Sequence, residues 1–181
     1  MREAPMARPT TPGRRATTPE SRAGPIVRRM AYTTAEGRQE LLESLANAID
    51  DLGFALAALG AAYEQLDVMS ADKLEEELFG PVQRAYGRAK RTYAAFADRA
   101  GLEAESFAPQ EAGLPSTGAI GFIGEAVNAI ASAGGKLATL QDAPELLEVG
   151  DVELRQGVAE VRELIDPLAH VARELLRRLG R

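Results

Sequence analysis

The sequence predicts an all-α fold, a four-helix bundle preceded by a disordered basic tail, and three observations carry that prediction. Apolar residues recur at alternating three- and four-residue steps in four separate stretches, which puts each set along one helix face. The 181 residues contain no cysteine and no tryptophan and are rich in alanine, leucine, glutamate and arginine, a composition suited to packed helices. Nowhere do apolar and polar residues alternate as a half-buried strand requires.

Composition also excludes chemistry. Without cysteine there is no disulfide, thiolate metal site or thiol nucleophile, and the single His170 rules out a multi-histidine centre. Residues 1–33 carry seven arginines against Glu3 and Glu20, a balance of +5 that leaves −11 for the rest of a chain of net charge −6. An acidic body disfavours nucleic acid and other polyanions. The first thirty residues hold no apolar run of signal-peptide length. The longest apolar run, Leu52 to Tyr63, is twelve residues, short of the roughly 20 that span a bilayer. No transmembrane segment and a cytoplasmic location are expected.

Residues 1–32, rich in proline, arginine and threonine, are expected to be a disordered tail, and residues 33–181 the bundle domain. Within the tail, Thr11 and Thr18 precede proline, and Arg14-Arg15-Ala16-Thr17 would suit a basophilic kinase. Thr33 with Glu36 forms a capping-box pattern, the expected start of the first helix. Its seam is Leu42, Leu45, Ile49, Leu52, Leu56, Leu59, Tyr63 and Leu66. Gly53 and Gly60 beside that seam each cost about 1 kcal/mol relative to alanine, so close helix packing is expected there. The second half of this helix is apolar all round, since Phe54, Ala57, Ala58 and Ala61 lie opposite the seam. Either other parts of the chain cover that patch or it is an interface with a second copy.

Ser70 is the expected cap of a second helix, with Leu74 and Leu78 inward. Gly80-Pro81 predicts a kink or a fresh start there, which would make a fifth helix. The seam resumes through Tyr86, Ala89, Tyr93 and Phe96, and Gly101 ends it. Residues 102–115 lack periodicity and hold Pro109, Gly113 and Pro115, as expected of a crossover. Ser116 can cap the next helix, whose inward set is Ile120, Ile123, Val127, Ile130, Gly134 and Leu137. Its many glycines are attributed to close packing. After a turn at 142–150, Asp151 caps a last helix with the seam Leu154, Val158, Val161, Ile165, Leu168, Ala172, Leu175 and Leu179, bent at Pro167.

Candidate sites are few. Glu40 and Glu43, followed by Glu64 and Asp67, resemble the two acidic pairs with which all-α nucleotide pyrophosphohydrolases hold magnesium, and oxygen-rich clusters are what hard cations require. That resemblance implies a magnesium-dependent hydrolase. Helix geometry opposes it, because a continuous helix over 34–67 separates the pairs by roughly 35 Å. A di-iron bundle needs two Glu-x-x-His motifs, which one histidine cannot supply. His170 falls opposite its seam and makes a poor general base. Gly118 to Gly124 lacks the spacing of a phosphate loop, and no strand precedes it. Arg84, Arg88 and Arg91, with Lys90 beside them, form the one positive stripe. It either pairs with acids at 36, 40 and 43 or at 75–77, or docks an acidic protein or a phosphorylated ligand.

The expectation is therefore a bundle without cofactor or metal that works through protein–protein contacts, as a homodimer, small oligomer or scaffold. The hydrolase is the alternative. A surface- or lipid-associated role is a third class, and it requires the glycine-rich helix to be exposed.

Overall fold

Four antiparallel-neighbour rods enclose a single core in the computed structural model, which describes residues 25–179, with side chains from Thr33 onward. The rods are built from seven α-helices: α1 (Pro25–Tyr63), α2 (Val68–Leu74), α3 (Gly80–Ala100), α4 (Gly118–Asp142), α5 (Pro144–Glu148), α6 (Val152–Ile165) and α7 (Leu168–Leu179). No strand occurs among the described residues. Helix α1 begins at Pro25, a residue suited to a first turn because the amide it lacks would be unpaired there anyway. The pattern at Thr33 and Glu36 thus lies inside the helix and does not start it. The rest of the expected tail, residues 1–24, lies outside the described residues.

Leu42, Leu45, Ile49, Leu52 and Leu59 of the predicted seam are fully buried, as are Ala48, Ala55 and Ala62 on its flank. Tyr63 is not: α1 ends there, and its side chain is exposed. The stretch 33–63 is long and apolar enough to cross a membrane by composition alone. Half of its apolar window is buried inside the protein, which is how a central bundle helix satisfies the same pattern.

The expected break at Gly80-Pro81 is instead a single π-helical turn, Glu75–Phe79, that joins α2 to α3 as one rod. The Gly80 amide donates to the Glu75 carbonyl, five residues back. Such a widened turn accommodates the proline without ending the helix. A Cβ at Gly80 would lie 3.2 Å from that carbonyl oxygen, so the turn favours glycine. The cap of α2 is Asp67, whose carboxylate accepts from the Ser70 amide at 3.1 Å; Ser70 is the recipient, not the cap. Gly101 ends α3 in the left-handed conformation, φ +68°, with the Leu102 amide donating to the Ala97 carbonyl.

At the other proline, Pro167, the expected bend is a break between α6 and α7. Asp166 and Pro167 form a turn, because proline has no amide for the helical ladder. The seam nevertheless runs on across it, with Ile165, Leu168, Ala172 and Leu175 all buried.

Inter-helix contacts fix the directions. Gly60 and Gly53 of α1 lie against Phe79 and Tyr86; Arg88 and Arg99 of α3 pair with Glu160 and Asp151 at α6; Gln141 and Gly134 of α4 meet Arg162 and Ile165; Lys136 of α4 meets Asp51 of α1. Every neighbouring pair is antiparallel, with α3 and α4 on opposite corners. Residues 102–114 therefore cross the bundle as expected, held by the Tyr93 hydroxyl accepting from the Glu105 amide, by an edge-on Tyr93–Phe107 contact and by Gln110 donating to the Asp50 carbonyl. One long crossover is a standard bundle connection.

In α4 the buried set is Phe122, Ile123, Ala126, Ile130, Ala133, Leu137 and Leu140. Ile120, expected inward, is exposed, and Val127 is only partly covered. The buried residues lie on one face of α4 from Phe122 to Leu140, and Ile120 falls away from that face. The expected cap Ser116 sits in a 3₁₀ turn, and Thr117 precedes α4 without a side-chain cap. The glycines do not mark close packing throughout: nothing lies within 4 Å of a Cβ built at Gly124 or Gly135, while Gly134 meets Ile165 at 3.7 Å.

Asp151 caps α6 as expected, accepting from the Leu154 amide at 2.6 Å and holding the Arg99 guanidinium at 2.7 and 2.9 Å. The Arg99 hydrogen bond first, then the Leu154 amide, holds its carboxyl below the ordinary aspartate value, against an opposing effect of burial. The cap and the partly exposed ion pair together stabilise the fold by about 1–2 kcal/mol. Because the folded-state pKa is depressed, this stability is full above the unfolded value of about 3.9 and is lost as pH falls through the folded one. Asp151→Ala is expected to lower stability by about 1–2 kcal/mol at pH 7, and denaturant titration should show the difference from the parent shrinking in acid.

Candidate functional site

The two acidic pairs are not brought together. Glu40 and Glu43 are exposed on an early part of α1, Glu64 lies just past its end, and Asp67 is occupied in capping α2. With α1 unbroken, Glu40 and Glu64 are about 36 Å apart at 1.5 Å per residue. No group of three or more His, Asp or Glu residues converges on a cation position among the described residues. His170 is exposed on α7, beside Arg173, Leu176 and Arg177.

The arginine stripe is divided. Arg88 pairs with Glu160 of α6, Nε to Oε2 at 2.6 Å, and not with the acids of α1 or of residues 75–77. Glu77 is taken by Arg178 of α7. Lys90 lies over the rings of Tyr86 and Phe107, 5.1 and 5.9 Å from their centroids, so its charge faces the crossover. Arg84 and Arg91 remain exposed, with no ion pair among the described residues. Two separated cations, one turn to either side of a neutralised one, make a weaker acidic-partner dock than the uninterrupted stripe.

The patch around Phe54 is partly closed. Ala58 is fully buried in the core and is not part of any available surface; Phe54, Ala57 and Ala61 are half-buried. The crossover is anchored on either side of this patch, with Gln110 donating to the Asp50 carbonyl and Gln65 donating to the Pro115 carbonyl. The three residues lie between those two anchor points on α1.

Sequence periodicity missed an exposed apolar surface at one end of the bundle; two further exposed apolar side chains, Leu147 at 74% and Val152 at 63%, lie toward the other end. Val68 is 77% exposed, Leu114 73%, Met69 71%, Ile120 52% and Tyr63 41%. All five belong to one end of the bundle: Tyr63, Val68 and Met69 flank the α1–α2 turn, Leu114 precedes the Pro115 that Gln65 holds, and Ile120 faces Leu66, Asp67 and Ser70 across a hollow of about 480 Å³. Thr117, Gly118 and Arg178 complete that hollow. The signal was available in Val68-Met69, two bulky apolar residues in the first turn of α2, where nothing buries them.

A second concavity, a groove of about 550 Å³, runs between α1 and α4 at the opposite half of the bundle. Leu41, Leu140 and Ala143 form its apolar part, Ser44, Ser132 and Thr139 contribute hydroxyls, and Glu40 and Glu145 stand at its margin. Lys136 also lines it, with its ammonium bound to Asp51 at 2.7 Å and to the Asn47 carbonyl at 3.1 Å. Comparison with protein-family models, with curated proteins and with solved structures returns no match to this chain.

Proposed function

We propose that the protein works through protein–protein contact, associating with further copies of itself through the end of the bundle that carries Tyr63, Val68, Met69, Leu114 and Ile120. The observation that supports this reading is that five of the seven large, exposed apolar side chains among the described residues gather at one end. Single exposed apolar residues are ordinary, but contiguous patches mark interaction sites. Asp67, Ser70, Thr117 and Arg178 around the hollow supply a polar margin, the arrangement that interfaces use around an apolar centre. Self-association is favoured over the half-buried Phe54 surface because exposed side chains need no rearrangement to meet a partner.

Light scattering on the full chain, beside Val68→Glu and Met69→Glu, tests this. The expected result is an oligomeric parent and monomeric variants that keep the helical fold by circular dichroism, since both side chains are in solvent in the single chain. A parent that stays monomeric at high micromolar concentration overturns it.

The outer face of α4 gives a second reading some support. Ile120, Asn128, Ala131, Ser132 and Gly135 are exposed and uncharged, the condition for a surface- or lipid-associated role. The face offers no cation to anionic lipid, so co-sedimentation with uncharged vesicles, and not anionic ones, is its test.

A further inference from the structure

We propose that Arg14 and Arg15 of the chain's own basic N-terminal segment dock in the groove between α1 and α4, against Glu40 and Glu145. Neither carboxylate has an ion-pair partner among the described residues, although both line the groove. The lysine inside it does not oppose a cation, because Asp51 already neutralises the ammonium of Lys136. Thus the groove presents unpaired negative charge above an apolar floor of Leu41, Leu140 and Ala143. That combination suits arginine, whose guanidinium binds carboxylates in a bidentate manner while its stem covers apolar surface. Ser44, Ser132 and Thr139 supply acceptors for its remaining donors.

Charge and reach select the occupant. Residues 1–24 hold five arginines against Glu3 and Glu20, a cationic segment on an otherwise acidic chain. It joins α1 at Pro25, and Glu40 lies fifteen residues along that helix, about 22 Å away. An extended residue covers about 3.3 Å. Arg22 is too close to Pro25 to return that far, whereas Arg14 and Arg15, eleven and ten residues before it, reach the groove with slack. Docking there would cover the α1–α4 seam at the half of the bundle opposite the self-association surface, so it stands independently of that reading.

Because the chain has no cysteine, Ala16→Cys in the full protein gives one position for a nitroxide label. Amide signals at residues 40–47 and 132–145 are expected to broaden at low ionic strength and to recover in 0.5 M salt, as a surface ion pair should. Glu40→Gln with Glu145→Gln should abolish the broadening while leaving the rest of the amide spectrum unchanged, since neither side chain has a hydrogen-bond partner among the described residues. No broadening at the groove overturns the proposal. So does broadening that survives the double substitution, or broadening that appears only when labelled chains are mixed with unlabelled isotopically enriched ones, which would make the occupant another copy.

Discussion

Gly157→Ala is expected to destabilise the protein, while Gly124→Ala and Gly135→Ala stabilise it, though all three replace a helical glycine by the best helix former. A Cβ at Gly157 would lie 2.3 Å from Thr92 Oγ1, 2.5 Å from its Cγ2 and 3.0 Å from its Cβ. Both residues are buried where α3 crosses α6, and a threonine side chain locked between two helices has no free end to swing aside. Overpacking of this kind costs about 1–3 kcal/mol; the gain in helix propensity returns up to about 1 kcal/mol. The net loss is therefore about 1–2 kcal/mol, several degrees in melting temperature for a chain of this size. At Gly124 and Gly135 nothing lies within 4 Å, so the propensity term acts alone and each substitution should gain about 0.4–1 kcal/mol. Thermal melts of the three variants read the opposite signs directly. Thr92→Ala removes two of the three close atoms and also a buried hydroxyl without a partner. In that background Gly157→Ala should cost at least about 1 kcal/mol less, and strictly additive effects would show that the two residues do not meet.

Leu52→Ala is expected to cost about 2–5 kcal/mol. Leu52 is fully buried near the middle of α1, the helix that packs on both α3 and α4. Deleting its methyl groups removes transfer free energy and leaves a cavity that rods on several sides cannot all collapse into. Leu114→Ala, the same chemical change at a side chain 73% exposed, should shift stability by no more than about 0.5 kcal/mol. Chemical denaturation of the pair gives both values. A Leu52→Ala loss below about 1 kcal/mol would mean that α1 is not the helix around which the core closes.

The seams of α1 and of the α6–α7 rod were legible because an apolar stripe at helical spacing has one physical use, burial against a neighbour. Asp151 and Gly101 were legible for a similar reason: a carboxylate at a helix start and a left-handed glycine at a helix end each answer a local need of unpaired backbone groups. Local signals failed where two solutions were equally local. Gly80-Pro81 could end a helix or be absorbed in a π turn, and only the packing of Leu74, Leu78 and Val82 into one continuous core face favours the latter. Pro167 is the converse case, a break where a bend would also have satisfied the pattern. Ser70 and Asp67 stand three residues apart, either able to cap, and the chain uses Asp67.

Candidate sites were legible as residues and not as places. Glu40, Glu43, Glu64 and Asp67 invite a metal reading until the length of α1 separates them. Arg88 was expected to find an acid, yet its partner, Glu160, is 72 positions away in sequence and comes close only because α6 runs antiparallel beside α3. Glycine had the least predictable meaning: Gly53 and Gly60, whose place beside the α1 seam predicts close packing, sit at ordinary contact distances of 3.4–4.0 Å, while the tightest approach falls at Gly157.

By itself the sequence determined the all-helical class, the burial stripes, the crossover and the exclusion of thiol and multi-histidine chemistry, since periodicity and composition act within a few turns of chain. The tertiary structure alone decided which helices are neighbours, where the crossover lies on α1, and that Val68, Met69, Leu114 and Ile120 share one end. Those outcomes depend on how four rods divide the work of burying one another, and no stretch of sequence records its neighbour's shape.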